Sequence, residues 1–148
     1  MIPREKRLRR LLAIRRIGEE QERRRLRSVL ASVAEVDSAL DVQRQTMQAA
    51  GEASATALRQ GNLHEWLFTE AQIEVAGWNR ARLAPVRQER QAAVGPATAD
   101  FIERRREHEQ VRQLIKDIQS EQQVADDRRA QAAADDWFLA RRVRRPRE

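Results

Sequence analysis

Residues 26–50 read LRSVLASVAEVDSALDVQRQTMQAA, and their spacing decides the fold. Leu26, Val33, Leu40 and Met47 recur at a heptad interval, and Val29, Val36, Gln43 and Ala50 interleave with them. Alternating steps of three and four keep one stripe of a helix facing a partner helix. Outward from this stretch the helical pattern extends over residues 4–59. Pro3 stands at its start, where a missing N–H is tolerated. Gly18 and Gly51 each cost about 1 kcal/mol relative to Ala, which a helix of this length absorbs. Leu8, Leu11, Leu12, Ile14 and Ile17 are also apolar but out of strict phase with the stripe. That offset predicts a change of partner or of winding near residues 19–25.

The first break is Gln60-Gly61-Asn62. Glycine suits the left-handed residue that closes a helix, and Asn62-Leu63-His64-Glu65 has the spacing of a capping box. A second arm is therefore predicted from Leu63, opening with the apolar cluster Trp66, Leu67, Phe68, Ile73, Val75 and Trp78. Pro85 and Gly95-Pro96 then predict a kink or short break at one or both, because a helical proline lacks a donor and clashes with the preceding turn. Asp100 and Glu103 could recap a helix there. From Phe101 the stripe resumes through His108, Val111, Ile115, Ile118, Gln122 and Ala125, then Ala132 and Leu139, for antiparallel pairing with residues ~14–50. The expected architecture is all-α: one elongated two-helix coiled-coil hairpin, monomeric, with arms 4–59 and 63–144, a turn at 60–62, and the second arm kinked or interrupted near Pro85 or Pro96.

Composition agrees. Of the 148 residues 41% are hydrophobic, but 23 of these are Ala and aromatics are only 4%, so a thick globular core is not available. With 35% charged residues the chain reads as long helices. The absence of cysteine excludes disulfides and thiolate metal sites. His64 and His108 match no ligand spacing, and neither Gly-rich phosphate motif occurs. Nothing points to catalysis, so no enzyme activity, cofactor or small-molecule substrate is expected. No apolar run is long enough for a membrane span, and the basic N-terminus lacks the apolar stretch of a secretory signal. The expected location is cytoplasmic.

Charge concentrates at the two ends. Residues 1–27 carry eleven Lys/Arg against four Glu, and the tail adds Arg141, Arg142, Arg144, Arg145 and Arg147 against Glu148. A hairpin is expected to bring both segments to one pole. Three readings compete: a solvated face laced by pairs such as Arg15–Glu19, Arg16–Glu20 and Glu20–Arg24; a nucleic-acid or anionic-surface binder, which has no aromatics interleaved with the N-terminal basic segment for stacking; and a protein partner with an acidic receiving surface. An oligomeric structural coiled coil is a further alternative.

The turn at Gly61-Asn62 with Trp66 soon after, and the ending Asp135-Asp136-Trp137-Phe138 followed by arginines and Arg145-Pro146-Arg147-Glu148, resemble the central stalk proteins of type III secretion export ATPases, the FliJ/YscO family of flagella and injectisomes. Over essentially the whole chain the layout is similar, although Pro85 and Pro96 depart from a continuous stalk. The resemblance implies an antiparallel coiled coil like the γ subunit of rotary ATPases. Its terminal end would insert into a hexameric secretion ATPase, its turn would reach an export gate protein, and export chaperones would be further partners, all peripheral to the inner-membrane export apparatus. Carried onto this chain, the ATPase-binding residues would be Arg9, Arg10, Arg16, Arg23, Arg24, Arg141, Arg142 and Arg144. The gate-binding residues would be Trp66, Leu67 and Phe68.

Overall fold

The computed structural model describes residues 3–144, and over them the chain is an all-α helical hairpin without a strand. Helix α1 spans Pro3–Arg59, α2 Leu63–Ala92 and α3 Val94–Val143. Helices α2 and α3 form the second arm, bent at Ala93.

The turn is built by backbone geometry. Asn62 N–H donates to Ala57 O at 2.9 Å and Gly61 N–H to Leu58 O at 3.2 Å, the paired bonds of a Schellman closure. Gly61 takes φ 69°, a left-handed conformation that costs little only without a Cβ. The Asn62 side chain accepts from Glu65 N–H at 3.1 Å and caps α2. Because Asn62 N–H is already bonded to α1, the return leg of the expected capping box has no donor to reach.

The two prolines behave differently. Pro96 stands in the first turn of α3, and its ring and missing N–H fall against the carbonyl of Ala92, where α2 ends. Pro85 lies inside unbroken α2. Packing against α1 holds the helix there: Leu83 and Val86 are half-buried, Arg87 hydrogen-bonds Asp37, and Arg90 donates to Ser32 O at 3.0 Å. The interruption expected near Pro85 or Pro96 is thus found only beside Pro96.

The chain divides into two compact units, Glu20–Glu103 and Met1–Glu19 with Arg104–Glu148. In the first, the stripe from residue 26 onward is the seam. Val33, Val36 and Ala50 are buried, Leu26, Val29, Leu40, Gln43 and Met47 half-buried, and Ser54 and Ala57 continue the same steps to the turn. Thr69, Ala76 and Ala97 are buried on the second arm. Register is set by Ser54 Oγ donating to Glu70 at 2.8 Å, Asn79 to Gln43 at 3.4 Å, and Arg25 to Asp100 at 2.6 Å. Arg25 is held more strongly protonated than usual, first by its bond to Asp100 and then by Glu22. So many small side chains bury little area each, so stability accumulates with seam length.

In the second unit the expected phase change does not occur. Glu5, Leu8, Leu12, Arg15 and Glu19 are buried or half-buried, still in steps of three and four. The hidden positions are largely polar, and several of them make bonds across the arms. Gln119 donates to Glu5 at 3.4 Å, Arg15 to Glu107 at 2.8 Å, and His108 Nδ1 lies 2.7 Å from Glu19. Val111, Ile115 and Ile118 supply the apolar core. Ile14 and Ile17 fall outside the seam and are 64% and 60% exposed. The pairing of Phe101 onward with residues ~14–50 holds at its start, where residue 107 faces residue 15, but runs further toward the N-terminus, where residue 119 faces residue 5.

Candidate interaction surfaces

In the unit that joins Met1–Glu19 to Arg104–Glu148, α3 outruns α1. Every residue from Asp126 to Arg144 is exposed, including Ala132 and Leu139, which the stripe had assigned to the seam. Gln119 stands opposite Glu5, and α1 is described from Pro3, so the described part of α3 continues past that of α1. This extension carries Trp137, Phe138, Leu139 and Val143 in the open. The Trp137 and Phe138 rings meet edge-on with centroids 6.5 Å apart, and the Arg141 guanidinium lies 5.2 Å from the Trp137 ring centroid.

Within this unit the extension spreads the basic residues along the helix. Arg141 lies 22 residues beyond Gln119, about 33 Å further along the helix than the level of Glu5. Arg9, Arg10 and Arg16 flank the paired part of this unit, whereas Arg141, Arg142 and Arg144 ride on the single-helix extension. Arg23 and Arg24 belong to the other unit, where Arg23 sits 5.7 Å from the Phe101 ring centroid and both arginines approach Glu20. Arg145, Pro146, Arg147 and Glu148 lie outside the described residues.

The N-terminal basic segment is sorted by face. Glu5 and Glu19 are buried and Glu20 and Glu22 half-buried, so all four of its acids sit at or beside the seam. Among the described residues Lys6, Arg7, Arg10 and Arg16 make no ion pair, and all four are exposed. Arg15 and Glu19 do not pair with each other as sequence spacing suggested, because both are engaged by α3. The side-chain bond from Arg9, aided by Gln119, holds the Glu5 carboxyl below its ordinary value against the opposing effect of burial. Arg15 Nε is buried without a hydrogen-bond partner.

At the turn the three expected contact residues divide. Trp66 is half-buried against Ala57, Leu58 and Gly61, closing the hairpin. Leu67 and Phe68 are exposed, as are Val75 and Trp78 further along α2. Phe68 and Val75 border a shallow groove with Gln43 and Thr46 of α1. Sequence periodicity missed the exposure of Ile14 and Ile17. The signal was present in the polar residues at positions 5, 15, 19 and 22, which keep the phase of the stripe.

Among the described residues no cluster could hold a metal ion and no helix is long and apolar enough to cross a membrane. Comparison with protein-family models, curated proteins and solved structures finds no match to this chain.

Proposed function

We propose that this chain is a non-enzymatic central stalk and adaptor of a type III secretion export apparatus, flagellar or injectisome. In this reading its terminal end enters the hexameric ATPase and its turn addresses the export gate, with the chain monomeric, cytoplasmic and peripheral to the inner membrane. The observation that carries it is the α3 extension. A single helix with exposed aromatics and arginines, continuing from a paired basic segment, suits a narrow central hole that a two-helix section would not enter. Arg141, Arg142 and Arg144 would contact the ring deepest, Arg9, Arg10 and Arg16 at its mouth. Contact through charge rather than a broad apolar face suits a shaft sampled by six subunits in turn, since charge complementarity governs orientation and capture rate more than residence. Leu67 and Phe68 are the gate-facing side chains of this reading, while Trp66 closes the turn. The resemblance of the turn and of the acidic-aromatic tail to the stalk family supports it.

The test is titration into the cognate ATPase at low salt, following hexamer formation and ATP turnover. The expected result is stimulation of both, lost on charge reversal at Arg9, Arg10, Arg141 and Arg142 and retained on charge reversal of the exposed mid-arm Arg44 and Arg80. No effect on either assay refutes the proposal. Salt-steep binding to arbitrary duplex DNA without ATPase contact would favour the nucleic-acid reading, and a stable dimer in sedimentation the oligomeric one.

A further inference from the structure

Between α1 and α3, within the unit that contains both termini, runs a groove lined by Arg9, Leu12, Ala13, Arg16, Ile17, His108 and Arg112. Its chemistry is one-sided. Leu12, Ala13 and Ile17 give it an apolar lining, arginines line it from both helices, and no carboxylate lines it. His108 is turned to Glu19 and does not offer its Nδ1 to the groove. Of the three arginines, Arg16 makes no ion pair among the described residues, Arg112 reaches Glu109 only at 3.8 Å, and Arg9 bonds Glu5 while remaining 46% exposed. Lys6 and Arg10, on neighbouring positions of α1, extend the positive field, and both are exposed and unpaired among the described residues.

From Arg9 to Ile17 the groove runs about 12 Å along α1, a little over two helical turns. That length matches the apolar positions i, i+3 or i+4, and i+7 of one amphipathic helix laid between two others. We infer that this groove receives a third helix, the acidic amphipathic helix of a partner protein, whose apolar stripe seats on Leu12, Ala13 and Ile17 while its carboxylates meet Arg9, Arg16 and Arg112. A bilayer fits less well, because the apolar strip is narrow and flanked by arginines of both helices. Duplex DNA would leave the apolar lining unused.

The inference deepens the stalk reading by naming the chemistry that the paired basic segment receives, and its experiment needs no ATPase. The probe is a fluorescent synthetic helix with Leu at i, i+3 and i+7 and Glu on its other faces, titrated by anisotropy into the full chain. Controls are a scrambled peptide of the same composition, a peptide with Lys for Glu, phosphatidylglycerol vesicles, and duplex DNA. The acidic amphipathic peptide is expected to bind most tightly and to weaken with added salt. Ile17→Glu, and separately the pair Arg16→Glu with Arg112→Glu, are expected to weaken it about tenfold or more. These side chains are largely exposed, so circular dichroism should match the parent chain and melting temperatures should fall by only a few degrees. Equal binding of the scrambled peptide, indifference to both variants, or preference for vesicles or DNA overturns the inference. Peptide binding without ATPase coupling removes the stalk reading alone, and ATPase coupling without peptide binding removes the groove alone.

Discussion

Ile17 and Ile115 are the same side chain in opposite situations, and truncating each tests the register of the terminal unit. Ile115 is 6% exposed and Ile17 60% exposed. Ile→Ala removes three carbons, each worth about 0.8 kcal/mol when fully buried. Scaled by burial, the loss is about 2.3 kcal/mol at Ile115 and about 1 kcal/mol at Ile17. Alanine returns about 0.4 kcal/mol of helix propensity at both. The expected destabilisation is therefore about 2 kcal/mol for Ile115→Ala and about 0.5 kcal/mol for Ile17→Ala, with any unrelaxed cavity adding only to the former. Urea denaturation followed by far-UV circular dichroism reads both, as shifts in midpoint at unchanged slope. For a chain of this size the melting temperatures should fall by roughly 5 °C and 1 °C. Equal losses would mean that Ile17 is packed in a core and that the polar seam at Glu5, Arg15 and Glu19 is not the true register. A larger loss at Ile17 would refute the arrangement outright.

Gly61→Ala introduces no steric contact but places a Cβ on a residue at φ 69°, so a loss of about 1 kcal/mol is expected in the same melts, and no loss would mean the turn has another conformation. Glu5 has a folded-state pKa lowered below its ordinary 4.5, so its contribution is present above that value and lost as the pH falls through the folded-state value. Melts of the parent chain should therefore decline more steeply into acid than those of Glu5→Gln, and parallel curves would remove Glu5 from the account. Ending the chain at Ala125 removes only exposed residues of the described α3 extension, so the melting temperature should change by less than about 2 °C, whereas stimulation of the ATPase should be lost. Unchanged stimulation would detach the extension from the proposed function.

The helical architecture, the turn and the seam from Leu26 to Ala50 were legible because each is written in local sequence: heptad spacing, a glycine before an asparagine, few strand formers. The proline question was half legible. Both prolines are equally disruptive locally, and only cross-arm contacts at Leu83, Val86, Arg87 and Arg90 spare the helix around Pro85. The terminal seam is not legible from hydrophobicity alone. There Val111, Ile115 and Ile118 share the interior with Glu5, Arg15, Glu19 and His108, whose burial is tolerable because each makes at least one bond to the facing arm or a neighbouring turn.

By itself the sequence determined that this protein is helical, that it folds back at Gly61-Asn62, and that its positive charge lies toward its ends, since propensity, turn chemistry and composition are local properties. The tertiary structure decided where those charges stand. Setting Gln119 against Glu5 goes with the exposure of residues 126–144 and separates Arg141 from Arg9 along the helix. It also turns Ile14 and Ile17 outward. Register is a relation between residues more than a hundred positions apart, and it is set by complementary packing and polar pairing that no single stretch of the chain contains.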